Sequence, residues 1–360
     1  MLHGRQRCRA VTTARATHLL VGNPTAQSGK NAERIDVALR LLARAGVACE
    51  LLPTLPDGKT IGAVRDALAR GGHTCVIAMG GDGTFREVGA ALMESARREA
   101  VRMAILPTGT ANDQGRSFGI ESGDEHLEAN VGVIVAGKET RLDAGRVDAV
   151  GAGVVAGERA SATWFFDSAG WGMSARVLAA RNDDRALVEN IPLIREIYRD
   201  QLVYAGALLR TFVESYVVDD TFDAHIVADG IAYTLEGITD LVVKGTRVYG
   251  GAWVLDRTSA HDDGLFEVIP FRGKADWLSR AIVDLEGNAV TEAVSSAIGL
   301  EHPLPLRASK LEMRFATRAS GAAEERAPSF AAQIDGEEHV ASALVRIEVV
   351  PRALRLVVPP

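Results

Sequence analysis

Residues 79–88 read Met79-Gly80-Gly81-Asp82-Gly83-Thr84-Phe85-Arg86-Glu87-Val88, a glycine loop between an apolar run and a helical pattern. The run before it, Thr74 to Met79, is strand-like. Gly80, Gly81 and Gly83 free the backbone to take positive φ and to approach a ligand with no Cβ in the way. Thr84 and Glu87 have capping-box spacing, which predicts a helix starting at Thr84. A glycine loop feeding a helix N-terminus suits an anion, because free N–H groups and the helix dipole both favour phosphate. An ordinary βα turn would look similar. Asp82 argues against that, since a carboxylate beside a phosphate needs a metal or a ligand hydroxyl between them.

A second junction follows. Met103 to Leu106 reads as a short buried strand, and Pro107-Thr108-Gly109-Thr110-Ala111-Asn112-Asp113 follows it. Pro107 stops the strand, Gly109 permits a tight turn, and Thr110 with Asp113 again has capping-box spacing. Two phosphate-competent loops on adjacent strands make a nucleotide cleft more readily than two unrelated turns do. From Thr17 to about Gly119 strand and helix alternate, with strands at 19–21, 47–52, 74–79 and 103–106 and helices at 35–45 and 61–69. That repeat implies a parallel sheet covered on both faces, with ligands beyond the carboxyl ends of its strands.

After about Lys138 short alternating runs appear, at 141–147, 163–167, 224–227, 232–235, 239–244, 265–271, 311–315, 330–334 and 344–350. Gly, Asp and Pro separate them, as in an antiparallel sandwich or open barrel. Helical patterns at 179–213 and 275–285 interrupt the series, and 318–327 reads as a loop. The expected organisation is a leader over 1–16, a nucleotide-binding α/β domain over 17–137, and a β-rich domain over 138–360 whose last strand could return to the first.

Composition sets outer limits. The 360 residues exceed the usual single domain, and 47% hydrophobic with 24% charged residues supports a sizeable core. A net charge of −7 argues against a nucleic-acid partner. Three cysteines, Cys8, Cys49 and Cys75, suit a reducing cytosol, and no run of 18 apolar residues is present to span a bilayer. The leader carries Arg5, Arg7, Arg9 and Arg15 without the apolar core of a secretory signal.

The two glycine segments, Gly80-Gly81-Asp82-Gly83-Thr84 and Leu106-Pro-Thr-Gly-Thr-Ala-Asn-Asp113, closely resemble the signatures of the diacylglycerol kinase catalytic-domain family. Val21-Gly-Asn-Pro-Thr-Ala-Gln-Ser-Gly29, Phe166-Asp-Ser-Ala-Gly-Trp-Gly172, Val243-Lys-Gly-Thr-Arg-Val-Tyr-Gly-Gly251, His261-Asp-Asp-Gly-Leu265 and Gln333-Ile-Asp-Gly-Glu337 resemble its further motifs, in its order. The closing strand around Ile347-Glu-Val-Val-Pro351 is similar too. The resemblance implies an NAD-kinase-like α/β domain followed by an antiparallel β-sandwich. It also implies an ATP- and Mg²⁺-dependent kinase that phosphorylates a hydroxyl of diacylglycerol or a related lipid. Such an enzyme works in the cytoplasm in peripheral contact with the inner face of the membrane, and a homodimer stays open. Leu202, Val203, Ala207, Leu208, Leu209 and Phe212 would line an acyl-chain or bilayer contact, or a plain helical core.

Phosphoryl transfer to a hydroxyl needs a phosphate cradle, a divalent ion and a base. The loop from Gly80 to Thr84 is the candidate cradle, aided by Asn23, Pro24, Thr25, Ser28, Gly29, Thr54, Glu87, Thr108, Gly109, Thr110, Asn112 and Asp113. No Gly-Lys-Thr/Ser follows the main loop, so the P-loop pattern is absent. By resemblance Asp335 is the candidate base, with Glu337 as its paired acid; Asp335-Gly336 between strands is equally a common hairpin turn. An alcohol proton must leave as the phosphorus bond forms, because its pKa lies far above neutrality. Asp82 would reach a catalytic Mg²⁺ through water. By resemblance again, Asp263 with the carbonyls of Ala260 and Leu265 would hold a structural Mg²⁺.

Three positions depart from the family, which usually has Asn at each: Arg86, Asp167 and Lys244. Arg86 is a permanent bidentate donor suited to phosphate. Asp167 and Lys244 could pair with each other or mark altered binding. The departures keep open a catalytically silent protein that binds lipid or nucleotide, and the Gly-Gly-Asp-Gly motif, shared across a larger group, keeps open an NAD-kinase-like hydroxyl kinase.

Overall fold

The structure is a computed structural model that describes residues 16–24, 30–109, 112–150, 163–176, 221–250, 253–273, 276, 305–317, 331–339 and 342–360. Thr25, Ser28, Gly29, Thr110, the helical pattern at 179–213 with its apolar candidates, nearly all of 275–285, and the segment 318–327 lie outside these residues.

Strand and helix alternate through the first part: β1 (His18–Gly22), α1 (Lys30–Arg44), β2 (Cys49–Pro53), α2 (Lys59–Ala69), β3 (Cys75–Gly80), α3 (Asp82–Met93), β4 (Arg102–Pro107), α4 (Asp113–Ser117) and α5 (Leu127–Ala136). Strands follow: β5 (Glu139–Val150), β6 (Thr163–Phe165), β7 (Ser168–Gly172), β8 (Phe222–Ala228), β9 (Ile231–Ile238), β10 (Asp240–Lys244), β11 (Phe266–Phe271) and β12 (Leu306–Ala308). The chain closes with β13 (Lys310–Thr317), β14 (Ala332–Ile334), β15 (Glu337–His339) and β16 (Leu344–Val357).

Strands β2, β1, β3 and β4 are parallel, in that order. Continuous apolar runs build β1, β3 and β4 because both faces are covered, while β2 is the more exposed edge. Leu19, Val76 and Met103 face α2 and α3, where Val64, Leu68, Phe85 and Leu92 meet them. Leu20, Ile77 and Ala104 face the other way, toward Ile35 and Leu42 of α1 and Val131 and Ile134 of α5. The long strand β16 joins this sheet at its far end, with Leu356 parallel to Met103. Its remaining length pairs antiparallel with β5, and the register shifts between Val350 and Leu354. β13, β8 and β9 extend the same sheet. A second, antiparallel sheet has the order β12-β11-β10-β7-β14-β15. Phe165, Trp171, Phe222, Phe266, Phe315 and Val345 fill the core between the two antiparallel layers. The architecture is therefore an α/β domain followed by an antiparallel two-sheet domain, as the sequence pattern implies.

Three local expectations are corrected. Helix α3 starts at Asp82 rather than Thr84, with Gly81 as its N-cap residue and no side-chain cap. Glu87 does not reach back to cap it; its carboxylate instead accepts a hydrogen bond from Thr60 of α2. At the second junction the residue before the helix is Asn112, at φ 55° in the left-handed region, and α4 is only five residues long. Helix α5 has no counterpart in the sequence reading. Its Val131, Val133, Ile134 and Val135 are β-branched, and its helical spacing of Leu127, Val131 and Ile134 is satisfied only by tertiary packing.

Candidate active site

The two glycine junctions meet backbone to backbone. Thr108 N–H donates to Gly80 O at 2.8 Å, and a Cβ on Gly109 would stand 2.4 Å from Gly81 Cα. No larger residue fits at that crossing, which is why two loops from adjacent strands can share one ligand face. Asn112 locks the second loop upon itself: its Oδ1 accepts Gly109 N–H at 2.9 Å and its Nδ2 donates to Gly109 O at 2.8 Å. Asn112 thus shapes the cradle and spends both amide atoms doing so.

A cavity of about 370 Å³ opens at the start of α3, lined by Asn23, Thr54, Leu55, Asp57, Gly58, Gly83, Thr84, Arg86, Glu87 and Glu337. Of the candidates named from sequence, Asn23, Thr54, Gly83, Thr84, Glu87 and Glu337 come together here. Glu337 arrives from β15 in the second sheet. It forms an ion pair with Arg86, one turn into α3. Burial raises the Glu87 carboxyl, and the Glu337 charge adds to the rise.

Asp335 takes another course. Asp335 and Gly336, at φ 46° and 73°, form the two-residue turn joining β14 to β15, where Ile334 faces Glu337. Two successive positive φ values are what a twisted hairpin requires. The Asp335 side chain points inward and is 4% exposed. Its Oδ2 accepts Phe166 N–H at 2.9 Å, while Oδ1 accepts Asp167 N–H at 2.9 Å and Ser168 N–H at 3.1 Å. Those three donors favour the ionised form, but burial outweighs them and pushes the carboxyl up to about 7.

Asp167 sits in the same pocket of charge. Burial and the Asp335 carboxylate together push it up to about 7, while Thr246 donates to its Oδ1 and Ser168 to its Oδ2. Lys244 is fully buried on β10 and donates to the carbonyls of Thr246 and, at 3.0 Å, Arg247. Asp167 and Lys244 therefore meet through Thr246 rather than as a direct ion pair. Burial lowers the Lys244 ammonium, against the pull of Asp167, Glu267, Asp256 and Asp113. The loop that Lys244 organises docks on α4: Val248 N–H donates to Ser117 Oγ at 2.9 Å, and Gly250 N–H to Asp113 Oδ2 at 2.7 Å. Asp113 thus ties the two parts of the molecule together.

Asp82, half-buried at the start of α3, is a further acid of this region. Its Oδ1 accepts Gln114 N–H at 3.3 Å, and burial plus the neighbouring Asp113 push it up to about 7. Sequence reasoning passed over Gln114, which is 2% exposed and whose amide oxygen and nitrogen have no partner among the described residues. A glutamine after Asn-Asp gives no signal until its burial is seen.

The proposed structural metal turn does not fit a divalent ion. Asp263 Oδ1 accepts Leu265 N–H at 3.0 Å, and Arg307 stands 3.9 Å from Oδ2. A metal would have to displace that permanent cation. The neighbouring side chains diverge, His261 toward Thr140 at 3.1 Å and Asp262 toward Arg352 at 3.4 Å. Among the described residues no three His, Cys, Asp or Glu side chains converge as metal ligands. Nor is any described helix long and apolar enough to cross a membrane.

Comparison with known proteins bears on this geometry. Residues 17–147 match the model of the diacylglycerol kinase catalytic domain. A probable lipid kinase YegS-like protein of Klebsiella pneumoniae is 34% identical over 120 residues, which are 33% of this chain and 38% of that protein. The match thus spans well under half of the relative's length. Among solved structures, a diacylglycerol kinase from Bacillus anthracis superposes with a TM-score of 0.67 at 18% identity, covering 96% of this chain and 98% of that one. A yeast NADH kinase solved with NADH superposes at a TM-score of 0.51 and 9% identity, covering 97% and 85%. These two likenesses establish the fold, and residues 17–147 carry the likeness to the diacylglycerol kinase catalytic domain.

Proposed function

We propose that this protein is a lipid kinase that transfers the γ-phosphate of MgATP to a hydroxyl of diacylglycerol or a similar lipid, in peripheral contact with a membrane surface. One observation carries the reading. The Asp335–Glu337 hairpin of the second sheet reaches the phosphate-competent start of α3 in the first domain, with the cavity between them. A phosphate donor over α3 and an acceptor held by the second domain would meet there.

In this reading the α3 N-terminus and the lining residues Asn23, Thr54 and Thr84 hold and orient the nucleotide. Mg²⁺ enters with ATP as part of the substrate, and Asp82 at the start of α3 would reach it through water. Asp335 is the proposed proton acceptor. Three N–H donors fix its carboxylate, and Oδ2, with one donor, keeps a lone pair for the alcohol proton. A carboxyl raised to about 7 also suits a base working near neutrality. Phosphoryl transfer asks little covalent work of the protein, so positioning supplies most of the rate.

The test incubates the protein with γ-labelled ATP and a lipid extract, beside Asp335→Asn. Label should enter a lipid with the wild type and fall by about two to four orders of magnitude with the variant. Absence of any labelled lipid ends the lipid-kinase reading; equal labelling by both proteins ends the role given to Asp335.

A further inference from the structure

We propose that Arg86 contacts the nucleotide's phosphates, and that Glu337 occupies the phosphate position and holds Arg86 in reserve until nucleotide arrives. This inference rests on the nucleotide reading of the cavity and adds to it a residue that the sequence pattern does not supply, since the family usually has Asn here.

The geometry has three parts. First, the Glu337 carboxylate lies on the first turn of α3: a Cβ on Gly83 would stand 2.6 Å from Glu337 Oε1. Gly81, the N-cap residue, brings no side-chain cap to this terminus. An anion placed there gains from free N–H groups and the helix dipole, so Glu337 sits where a phosphate is favoured. Second, the other oxygen, Oε2, holds Arg86 by an Nη2 donor. Third, Arg86 is underused. Its Nε is buried and has no partner among the described residues, while its side chain lines the cavity beside Thr84 and Asn23. A guanidinium has five donors in a fixed fork, matched to two oxygens of a phosphate. Glu337, 47% exposed at its side chain, loses little by turning back to water.

An entering triphosphate would thus take both partners of Glu337 at once, the helix terminus and Arg86. The exchange swaps one carboxylate for a more highly charged anion, so the polyphosphate and not the nucleoside draws the affinity. A merely structural ion pair between the two domains makes a different forecast: losing either partner would lower stability and leave nucleotide affinity unmoved or weaker.

Calorimetric binding of MgATP and of adenosine to the full chain separates the two, using Glu337→Gln, Arg86→Gln and the double variant. Thermal unfolding of each variant confirms that it folds, and Arg86→Lys provides a conservative check. Glu337→Gln should tighten MgATP by about tenfold, as removal of a charge-assisted competitor implies, with adenosine unchanged. Arg86→Gln should weaken MgATP by about tenfold or more, with Arg86→Lys intermediate. In the Arg86→Gln background the gain from Glu337→Gln should shrink, because no guanidinium is left to release. Unchanged or weaker MgATP binding by Glu337→Gln overturns the proposal, and so does a gain that persists in full without Arg86. If the wild type itself binds MgATP no better than adenosine, the nucleotide reading falls and takes the proposal with it.

Discussion

Asp335 and Glu337 stand two residues apart on one hairpin, yet they belong to different regions of the molecule. Asp335 turns into the junction between the domains, where Asp167, Lys244, Thr246, Asp113 and the 166–168 backbone are joined by buried hydrogen bonds. Glu337 turns out to the cavity, where Arg86 is its partner and both remain reachable by a ligand. The inner region costs desolvation and returns geometry, because its carboxyls are pushed up and its ammonium pulled down. The outer region costs little and stays exchangeable. Charge alone does not mark a functional residue here; what distinguishes the regions is whether a partner can be replaced.

The largest expected effect comes from removing the one cation inside the inner region. Lys244→Met takes the ammonium donor from the Arg247 carbonyl and from the Thr246 carbonyl, which keeps only Ser259 Oγ, and removes a positive charge that acts on Asp167. Breaking a buried charge arrangement at one member costs about 3–5 kcal/mol. Urea unfolding followed by the fluorescence of buried Trp171 would measure it. The double variant Lys244→Met/Asp167→Asn should lose less than Lys244→Met alone. A loss under 1 kcal/mol for Lys244→Met would place this region outside the architecture of the junction.

Next comes the turn itself. Asp335→Ala orphans three backbone N–H groups and should cost about 2–4 kcal/mol, in line with the penalty for unsatisfied buried donors. Asp335→Asn keeps an acceptor oxygen and tolerates positive φ, so it should recover about half of that loss. Stability and turnover would then part company: the Asn variant folds, yet fails in the labelling assay. Should both variants unfold alike, the nest around Asp335 matters less than its charge.

The third test uses pH. Asp167 and Asp335 both bind protons more tightly when folded, with carboxyls raised from 3.8 to about 7. Between those values the folded state holds more protons than the unfolded state, so stability falls as pH rises from about 4 to 7 and levels off above. Asp167→Asn removes one of the two groups and relieves the other. It should flatten that slope and stabilise the protein by about 1–2 kcal/mol at pH 8, and by less at pH 5. An unchanged slope would mean that the two carboxyls are ionised throughout.

These regions were unequally legible in the sequence. The βα alternation, the glycine junctions and the antiparallel second part follow from local patterns, because strand runs and glycine turns announce themselves within a few residues. The closeness of Gly81 and Gly109 could be suspected from two similar loops on adjacent strands. The Arg86–Glu337 contact could not, since 251 residues separate the partners and no local spacing joins them. Asp335-Gly336 reads as a hairpin turn and as a carboxylate site, and both readings describe the same residues once the side chain is seen to turn inward. The metal expectation rested on Asp263 with two backbone carbonyls, and the Arg307 guanidinium beside that carboxylate comes from far along the chain, where no local spacing announces it.

The smallest effect is the one that most sharpens the boundary between the two regions. Gln114 lies beside Asp82 with 2% exposure and an unpartnered amide among the described residues, so it pays the desolvation that the inner region normally repays. Replacing it by Leu keeps the volume and removes the orphaned polar atoms, and should stabilise the protein by about 1 kcal/mol. Its backbone N–H would still reach Asp82, so the start of α4 should hold. If that gain comes with unchanged phosphoryl transfer, Gln114 is a tolerated defect of packing. If it comes with weakened binding of the acceptor lipid but not of MgATP, the amide faces the acceptor, and the outer region extends past α3 to the start of α4. A loss of stability would instead show that the amide is paired within the fold, which would move Gln114 wholly to the inner region.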